Sequence, residues 1–402
     1  MTGKNILIVG QQPWDSELGS NCKDIALEFS KRNRVLYVNS PLDRSTSIRR
    51  KRDSDVKHRL RVIAGKQNGL SKISDNLWVL YPNCLVESIN WLDNEWVFDR
   101  VNKLNNKRFA AAIKKHLHTV GFDKGFMLFN DNEIMKCFYL KEYLQPELAI
   151  YYSRDFIVGA PYWNKHGPRL EPLMIKKSDI CFSNSVYLTN YCKQYNVNAH
   201  FVGQGFDANL FQVPSPIEDI PSELIGLRRP MIGYVGVLHS SRLDIEAMIH
   251  IAKHRPDWTL VLVGPEDAKF KQSELHKLRN VLFLGMKPMD QLSRYIHAFD
   301  VCINPQFLTP LTVGNYPRKV DEYLAMGKPV VALATHAMQS FADYTYLAEN
   351  KEKYIDLIER ALAEDSIELQ NKRKTFASSH TWENSVETMY RRLSEMNLQI
   401  HE

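Results

Sequence analysis

The chain has 402 residues, of which 44% are hydrophobic and 24% charged, with 18 Gly and 18 Pro. A prior of roughly 150 residues per domain gives two or three domains, and the composition excludes a collagenous, low-complexity or largely disordered chain. The net charge of +6 is uneven: residues 1–205 hold 30 Lys and Arg against 20 Asp and Glu, the remainder 22 against 26. This asymmetry is either chance variation of the surface or a sign that the first half meets something anionic.

No apolar run approaches the roughly 18 residues of a membrane span. The opening MTGKNILIVGQQPW reads as a first strand, not as a secretion signal. Six cysteines lie scattered, with no Cys-x-x-Cys pair and no zinc-ligand spacing. They are expected to be reduced and mostly buried in a cytoplasmic protein, and no metal or cofactor is expected.

Asn5–Val9 (NILIV) is an apolar run suited to a buried parallel strand. A polar turn with Pro13, Asp15, Gly19 and Ser20 leads to a helical segment over Asn21–Lys31, and Arg34–Val38 is the next strand. Strand, helix, strand is the unit of a parallel sheet. Residues 44–66 break the alternation, with Arg49, Arg50, Lys51 and Arg52 in a row and Lys57, Arg59 and Arg61 close behind. This basic run, 44–61, is either a solvated loop or a contact with an anionic membrane or polyanionic acceptor. It has no aromatic stacking motif, so nucleic acid is not an expected partner. Leu77–Leu80 resumes as a strand, and Leu92–Leu117 reads as a long helix near a 3.6 period. Strands are expected at Phe126–Phe129, Leu148–Tyr152, Asp179–Phe182 and His200–Val202.

Pro214, Pro216, Pro221 and Pro230 mark a linker. The alternation then restarts: strands Met231–Val235, Thr259–Val263, Val281–Leu284, Asp300–Ile303 and Pro329–Leu333, with helices from Asp244, Asp290 and Arg318. A last amphipathic helix covers Asn384–Leu393. The expected fold class is α/β, with two tandem Rossmann-like doubly wound domains facing a cleft. The first covers 1–208 plus a crossing-back helix at 383–402, and the second covers 209–382. Ligands of open α/β sheets bind beyond the carboxyl ends of the strands.

The richest stretch is Asn280–Val331. With Gln12-Pro13-Trp14-Asp15, Gly19-Ser20-Asn21, the strand end Gly233-Tyr234-Val235-Gly236 and Pro317-Arg318-Lys319-Val320-Asp321-Glu322-Tyr323, it resembles the GT-B glycosyltransferases. The group is that of the family 4 enzymes and the TuaH-like proteins of cell-envelope polysaccharide synthesis, and the resemblance covers nearly the whole chain. It implies a second domain that binds a nucleotide-diphosphate sugar and a first domain that binds the acceptor. It also implies that Glu322 holds the nucleotide ribose, as the second glutamate of the family's paired-glutamate motif. The first glutamate of that pair falls on Gly314, a departure that bears on sugar choice and stereochemistry.

By residue chemistry, a carboxylate such as Glu322 can accept both hydroxyls of a ribose. The loop at Gly314 and Asn315, followed by Arg318 and Lys319 at a helix start, suits a pyrophosphate. Gly236 at a strand-to-helix turn, with Arg242 beyond it, is a second diphosphate cradle or else an ordinary tight turn. Met286 stands in a loop that lines the base pocket in similar enzymes. In the first domain the resemblance sets Gly19 against the donor phosphates or the acceptor. Asp15 is a candidate base or an Asx-turn. Arg154 and Asp155, after a strand, are candidates for the transferred sugar or a surface ion pair. Asp53-Ser54-Asp55 mimics the metal motif of another glycosyltransferase fold, but it follows no strand and is rejected.

The expected activity is metal-independent, retaining transfer of a sugar to a glycan or lipid-linked acceptor at the cytoplasmic face. A non-catalytic sugar-nucleotide-binding protein and a sugar-nucleotide epimerase of the same fold stand as alternatives.

Overall fold

A computed structural model describes residues 1–16, 20–212, 220–309 and 312–400, with backbone alone for 397–400. Gly19, Pro214 and Pro216 lie outside the described residues. The contacts divide the chain into two units, Met1–Gly203 with Ser385–Glu402, and Gln204–Asn384.

The first unit holds strands β1 (Asn5–Gly10), β2 (Arg34–Asn39), β3 (Leu42–Asp43), β4 (Leu70–Ser74), β5 (Leu77–Leu80), β6 (Leu85–Val86), β7 (Met127–Asp131), β8 (Leu148–Ser153), β9 (Ile180–Ser183) and β10 (Ala199–Phe201). Eight of them form one sheet in the order β10-β9-β8-β7-β1-β2-β5-β4, and β3 pairs with β6 apart from it. All neighbours in the large sheet run parallel except β4 on β5. Ile6, Leu7, Ile8 and Val9 of β1 are all buried, as a strand covered on both faces requires. Its helices are α1 (Asn21–Ser30), α2 (Arg44–Arg49), α3 (Ser54–Ile63), α4 (Glu95–Leu117), α5 (Leu140–Leu144), α6 (Gly167–Lys177) and α7 (Val186–Lys193). The Ser20 hydroxyl caps α1.

Two short helices occupy the basic run where a break was expected. Asp43 accepts from the Thr46 amide at 3.0 Å and starts α2. Val56 and Val62 bury one side of α3 and leave its bases outside.

The second unit holds β11 (Met231–Val235), β12 (Thr259–Val263), β13 (Val281–Phe283), β14 (Val301–Asn304), β15 (Val330–Leu333) and β16 (Tyr346–Ala348). They form a parallel sheet in the order β13-β12-β11-β14-β15-β16. Its helices are α8 (Ile245–His254), α9 (Ala268–Lys271), α10 (Leu292–Ala298), α11 (Arg318–Ala325), α12 (Lys353–Glu364) and α13 (Ile367–Ser378). Asp244 caps α8 through the Ala247 amide at 3.0 Å. The last helix, α14 (Trp382–Ile400), starts in the second unit and continues as part of the first.

In each sheet the strand order reverses at one point, between β1 and β7 and between β11 and β14. Loops beyond the carboxyl ends of those strands diverge and leave room for a ligand.

Candidate functional site

In the second unit the point of reversal is shaped by α11. The Tyr323 hydroxyl, fully buried, accepts from the Val235 amide at 2.8 Å. The β11–β14 register covers Ile232 and Gly233 only, so by Val235 the ladder has opened and a side chain takes its place. Tyr323 therefore pins α11 to the end of β11, where Gly236 follows. Gly236 has φ +144°, and a Cβ there would lie 1.9 Å from Cε of Lys319. The glycine lets the Lys319 stem lie against the backbone. The Lys319 ammonium sits 5.6 Å from the Tyr234 ring centroid and makes no ion pair among the described residues.

Glu322 stands on the same helix, 9% exposed, with Arg318 Nε 3.2 Å from its Oε1. Burial pushes its carboxyl above the usual range, and Arg318 and Lys319 oppose that rise. Glu322 is the fifth residue of α11, one turn beyond Arg318, and the helix starts at Arg318 as expected. One turn along a helix puts the two side chains on one face.

The turn before α11 buries Gly314 and Asn315. Its amides are largely spent within the turn, with Thr312 and Val313 N–H donating to Thr309 O and Asn315 N–H to Thr312 O. The Arg318 and Val320 amides donate to Tyr316 O and Pro317 O. The open anion cradle expected here is thus narrower, and the positive charge rests on the Arg318 and Lys319 side chains. Beyond Gly236 the amides of Leu238, Ser240 and Arg242 are likewise bonded to Pro265, Asp267 and His239. Arg242 and Met286 are exposed, the latter 58%, and no described contact joins either to Glu322.

In the first unit, residues from three strand ends converge on Arg154. Its Nε donates to Asp131 Oδ1 at 2.8 Å, Nη1 to Asp155 Oδ2 at 2.7 Å and Nη2 to Gln11 Oε1 at 2.8 Å. Asp131 is fully buried and also accepts from the Gln11 amide. Asn132, at φ +54°, turns its Oδ1 to the amides of Arg154 and Asp155, at 3.2 and 3.0 Å. Its Nδ2 donates to the Tyr151 hydroxyl, which donates to Glu171. Glu171 is fully buried, and burial raises its carboxyl to about 7. Arg154 is thus consumed in holding the strand ends together, and Asp155 keeps the more exposed side chain, 28% against 11%.

Asp15 is exposed and hydrogen-bonds Tyr81, away from this cluster. Its loop is fixed by Trp14 N–H donating to Asn39 Oδ1 and by Tyr37 Oη donating to Gln12 O. Asp53 and Asp55 both pair with Arg50, at 2.7 and 3.5 Å. No group of three or more His, Cys, Asp or Glu among the described residues is arranged to hold a metal.

Comparison with known proteins bears on both units. Residues 229–364 match the model of the glycosyl transferases group 1 family. Over 192 residues, 46% of the chain, the sequence is 29% identical to TuaH of Bacillus subtilis (strain 168), a glycosyltransferase named for teichuronic acid biosynthesis. The chain spans about half the length of that relative, 47%.

Among solved structures, the sucrose-phosphate synthase of Thermosynechococcus elongatus aligns over 98% of this chain and 99% of its own, with a TM-score of 0.69 at 15% identity. HepE of Anabaena, solved with UDP and glucose, aligns over 97% and 99%, with a TM-score of 0.65 at 16% identity. The UDP-forming trehalose-phosphate synthase of Burkholderia vietnamiensis aligns over 98% of both chains, with a TM-score of 0.70 at 10% identity. At such identities the likeness is one of fold, and the fold is GT-B.

Residues given no role from the sequence are Asp131, Gln11 and Asn132, together with Tyr234 and Tyr323, which stood inside the quoted motifs. For Asp131 and Asn132 the local signal was position, since they stand just past the apolar run Met127–Phe129, at the end of β7.

Proposed function

We propose that the chain is a glycosyltransferase that moves a sugar from a nucleotide-diphosphate sugar to a glycan or lipid-linked acceptor in cell-surface polysaccharide synthesis. The observation that carries this reading is the near-buried Glu322, held beside Arg318 and Lys319 on a helix pinned to the glycine end of β11. A carboxylate there accepts the two ribose hydroxyls. Arg318 and Lys319 meet the diphosphate and stabilise the charge that grows on it as the glycosidic bond breaks. That electrostatic work needs no metal. The TuaH likeness supports the polysaccharide setting, and HepE, solved with UDP, supports a uridine donor.

The first unit takes the acceptor. Asp155, steadied by Arg154, and Asp15 are its carboxylates for the sugar or the incoming hydroxyl. Transfer with retention of configuration follows the family pattern, with Gly314 leaving the sugar to be gripped by other groups.

The exposed bases Arg49, Lys51, Arg52, Lys57 and Arg61 make no ion pair among the described residues, and no helix among those residues is long and apolar enough to cross a membrane. At about 1 kcal/mol per base near an anionic leaflet, five hold the protein at such a surface. Equal sedimentation with neutral and anionic vesicles at low salt removes this membrane contact.

The test of the donor site is calorimetric titration of wild type and Glu322→Ala with uridine, adenosine and guanosine diphosphates. Two charge-assisted hydrogen bonds at about 1.5–3 kcal/mol each predict a loss of roughly 100-fold or more in affinity. Unchanged affinity overturns the ribose assignment.

A further inference from the structure

Directly before Glu322 stands Asp321, whose carboxyl is completely buried. His380 Nδ1 lies 2.6 Å from its Oδ1, and the Tyr316 hydroxyl hydrogen-bonds the same carboxyl. Tyr316 Oη is also 3.3 Å from His380 Nδ1. With Asp321 ionised, Nδ1 is the N–H donor, because a carboxylate only accepts. The imidazole is packed edge-on against Phe341 and Phe376, at ring-centroid distances of 6.0 and 4.5 Å.

The position of His380 in the chain matters as much as its partner. Its carbonyl accepts from the Phe206 amide, and Phe206 bridges to Thr381. Gly205 fits so tightly that a Cβ there would lie 2.4 Å from the Trp382 amide nitrogen. Residues 204–206 and 380–384 are the two places where the chain passes between the units. His380 thus joins these paired crossings to the turn and helix that carry Asn315, Arg318, Lys319 and Glu322.

We propose that His380 is a positioning residue for the nucleotide-binding end of α11: through Asp321 and Tyr316 it fixes the turn and helix on which Arg318, Lys319 and Glu322 stand. This rests on the reading of Glu322 as the ribose-holding carboxylate. His380 touches no reacting atom. Its donor holds Oδ1 of Asp321 inside the unit, so that the carboxylate does not turn toward Arg318 and compete with Glu322 for it.

The test is nucleoside diphosphate affinity in four proteins: wild type, Glu322→Ala, His380→Phe and the double variant Asp321→Asn/His380→Phe. Phe keeps a ring between Phe341 and Phe376 and removes the donor. Removing one partner of a buried pair predicts about tenfold weaker affinity or more for His380→Phe, measured well below its melting temperature, and recovery to within about threefold when the charge is also removed. Should the Phe ring not be accommodated, His380→Leu carries the same predictions.

If wild type binds none of the diphosphates, or Glu322→Ala binds like wild type, the reading of the site itself fails. If Glu322→Ala is weak but His380→Phe binds like wild type, the positioning role is overturned. It is equally overturned if the double variant stays as weak as His380→Phe, because His380 is then packing alone.

Discussion

The two units place charged clusters at the same topological point of their sheets, yet the clusters are in opposite states. At the ends of β1, β7 and β8, Arg154 is satisfied by Asp131, Asp155 and Gln11 together, and Asp131 has no exposure at all. At the end of β11, Lys319 meets a tyrosine face and Glu322 a single arginine. The first cluster is closed and acts as scaffold. The second has capacity for charge and hydrogen bonds from outside. Closed clusters show their loss as stability, and open ones show it as affinity.

The largest effect is expected where the closed cluster is broken. Arg154→Met leaves Asp131 as a buried charge without its cation, which costs about 3–5 kcal/mol. Urea unfolding followed by a first-unit probe, such as the fluorescence of Trp14 or Trp78, reads this loss. A shift below about 1 kcal/mol would mean that water reaches Asp131 and that the cluster is as open as the one in the second unit.

A somewhat smaller effect is expected from Glu171, which supports that cluster through Tyr151 and Asn132. Burial raises its carboxyl from 4.5 to about 7 in the folded protein. Between those values the folded state holds a proton that the unfolded state releases, so stability falls as pH rises through this window. The group costs about 3 kcal/mol above pH 8 relative to pH 4. Glu171→Gln removes that fall, so its stability relative to wild type grows with pH across the window. Parallel stability curves for the two proteins would place water at Glu171.

Such a network was not legible in the sequence, because its members are far apart in it. Gln11, Asp131 and Arg154 come from three strand ends, and a pattern of apolar residues reports periodicity, not pairing. The strands themselves were legible: runs such as NILIV and TLVLV can only be buried on both faces. The helices in the basic run were not, since Val56 and Val62 alone mark the buried side of α3 among charged neighbours. Nor were β16, α12 and α13, which the alternation of the earlier strands did not foretell. In the second unit Glu322, Arg318 and Lys319 could be grouped from the sequence because they are close in it. Tyr323 was missed because its partner, Val235, lies 88 residues away.

The smallest change sharpens the comparison most, because it separates backbone strain from the loss of a binding group. Gly236 and Gly285 both follow strands of the second sheet with positive φ, +144° and +64°. A Cβ at Gly236 meets the Lys319 stem at 1.9 Å, whereas one at Gly285 meets nothing within 4 Å. Both alanine variants carry backbone strain of about 1–3 kcal/mol, so both should melt earlier. Only Gly236→Ala also displaces the Lys319 ammonium, and only it should weaken nucleoside diphosphate binding, by about tenfold, the equivalent of one charged hydrogen bond. Equal affinities in the two variants would show that Lys319 does not reach the diphosphate, leaving Arg318 as the cation of that site.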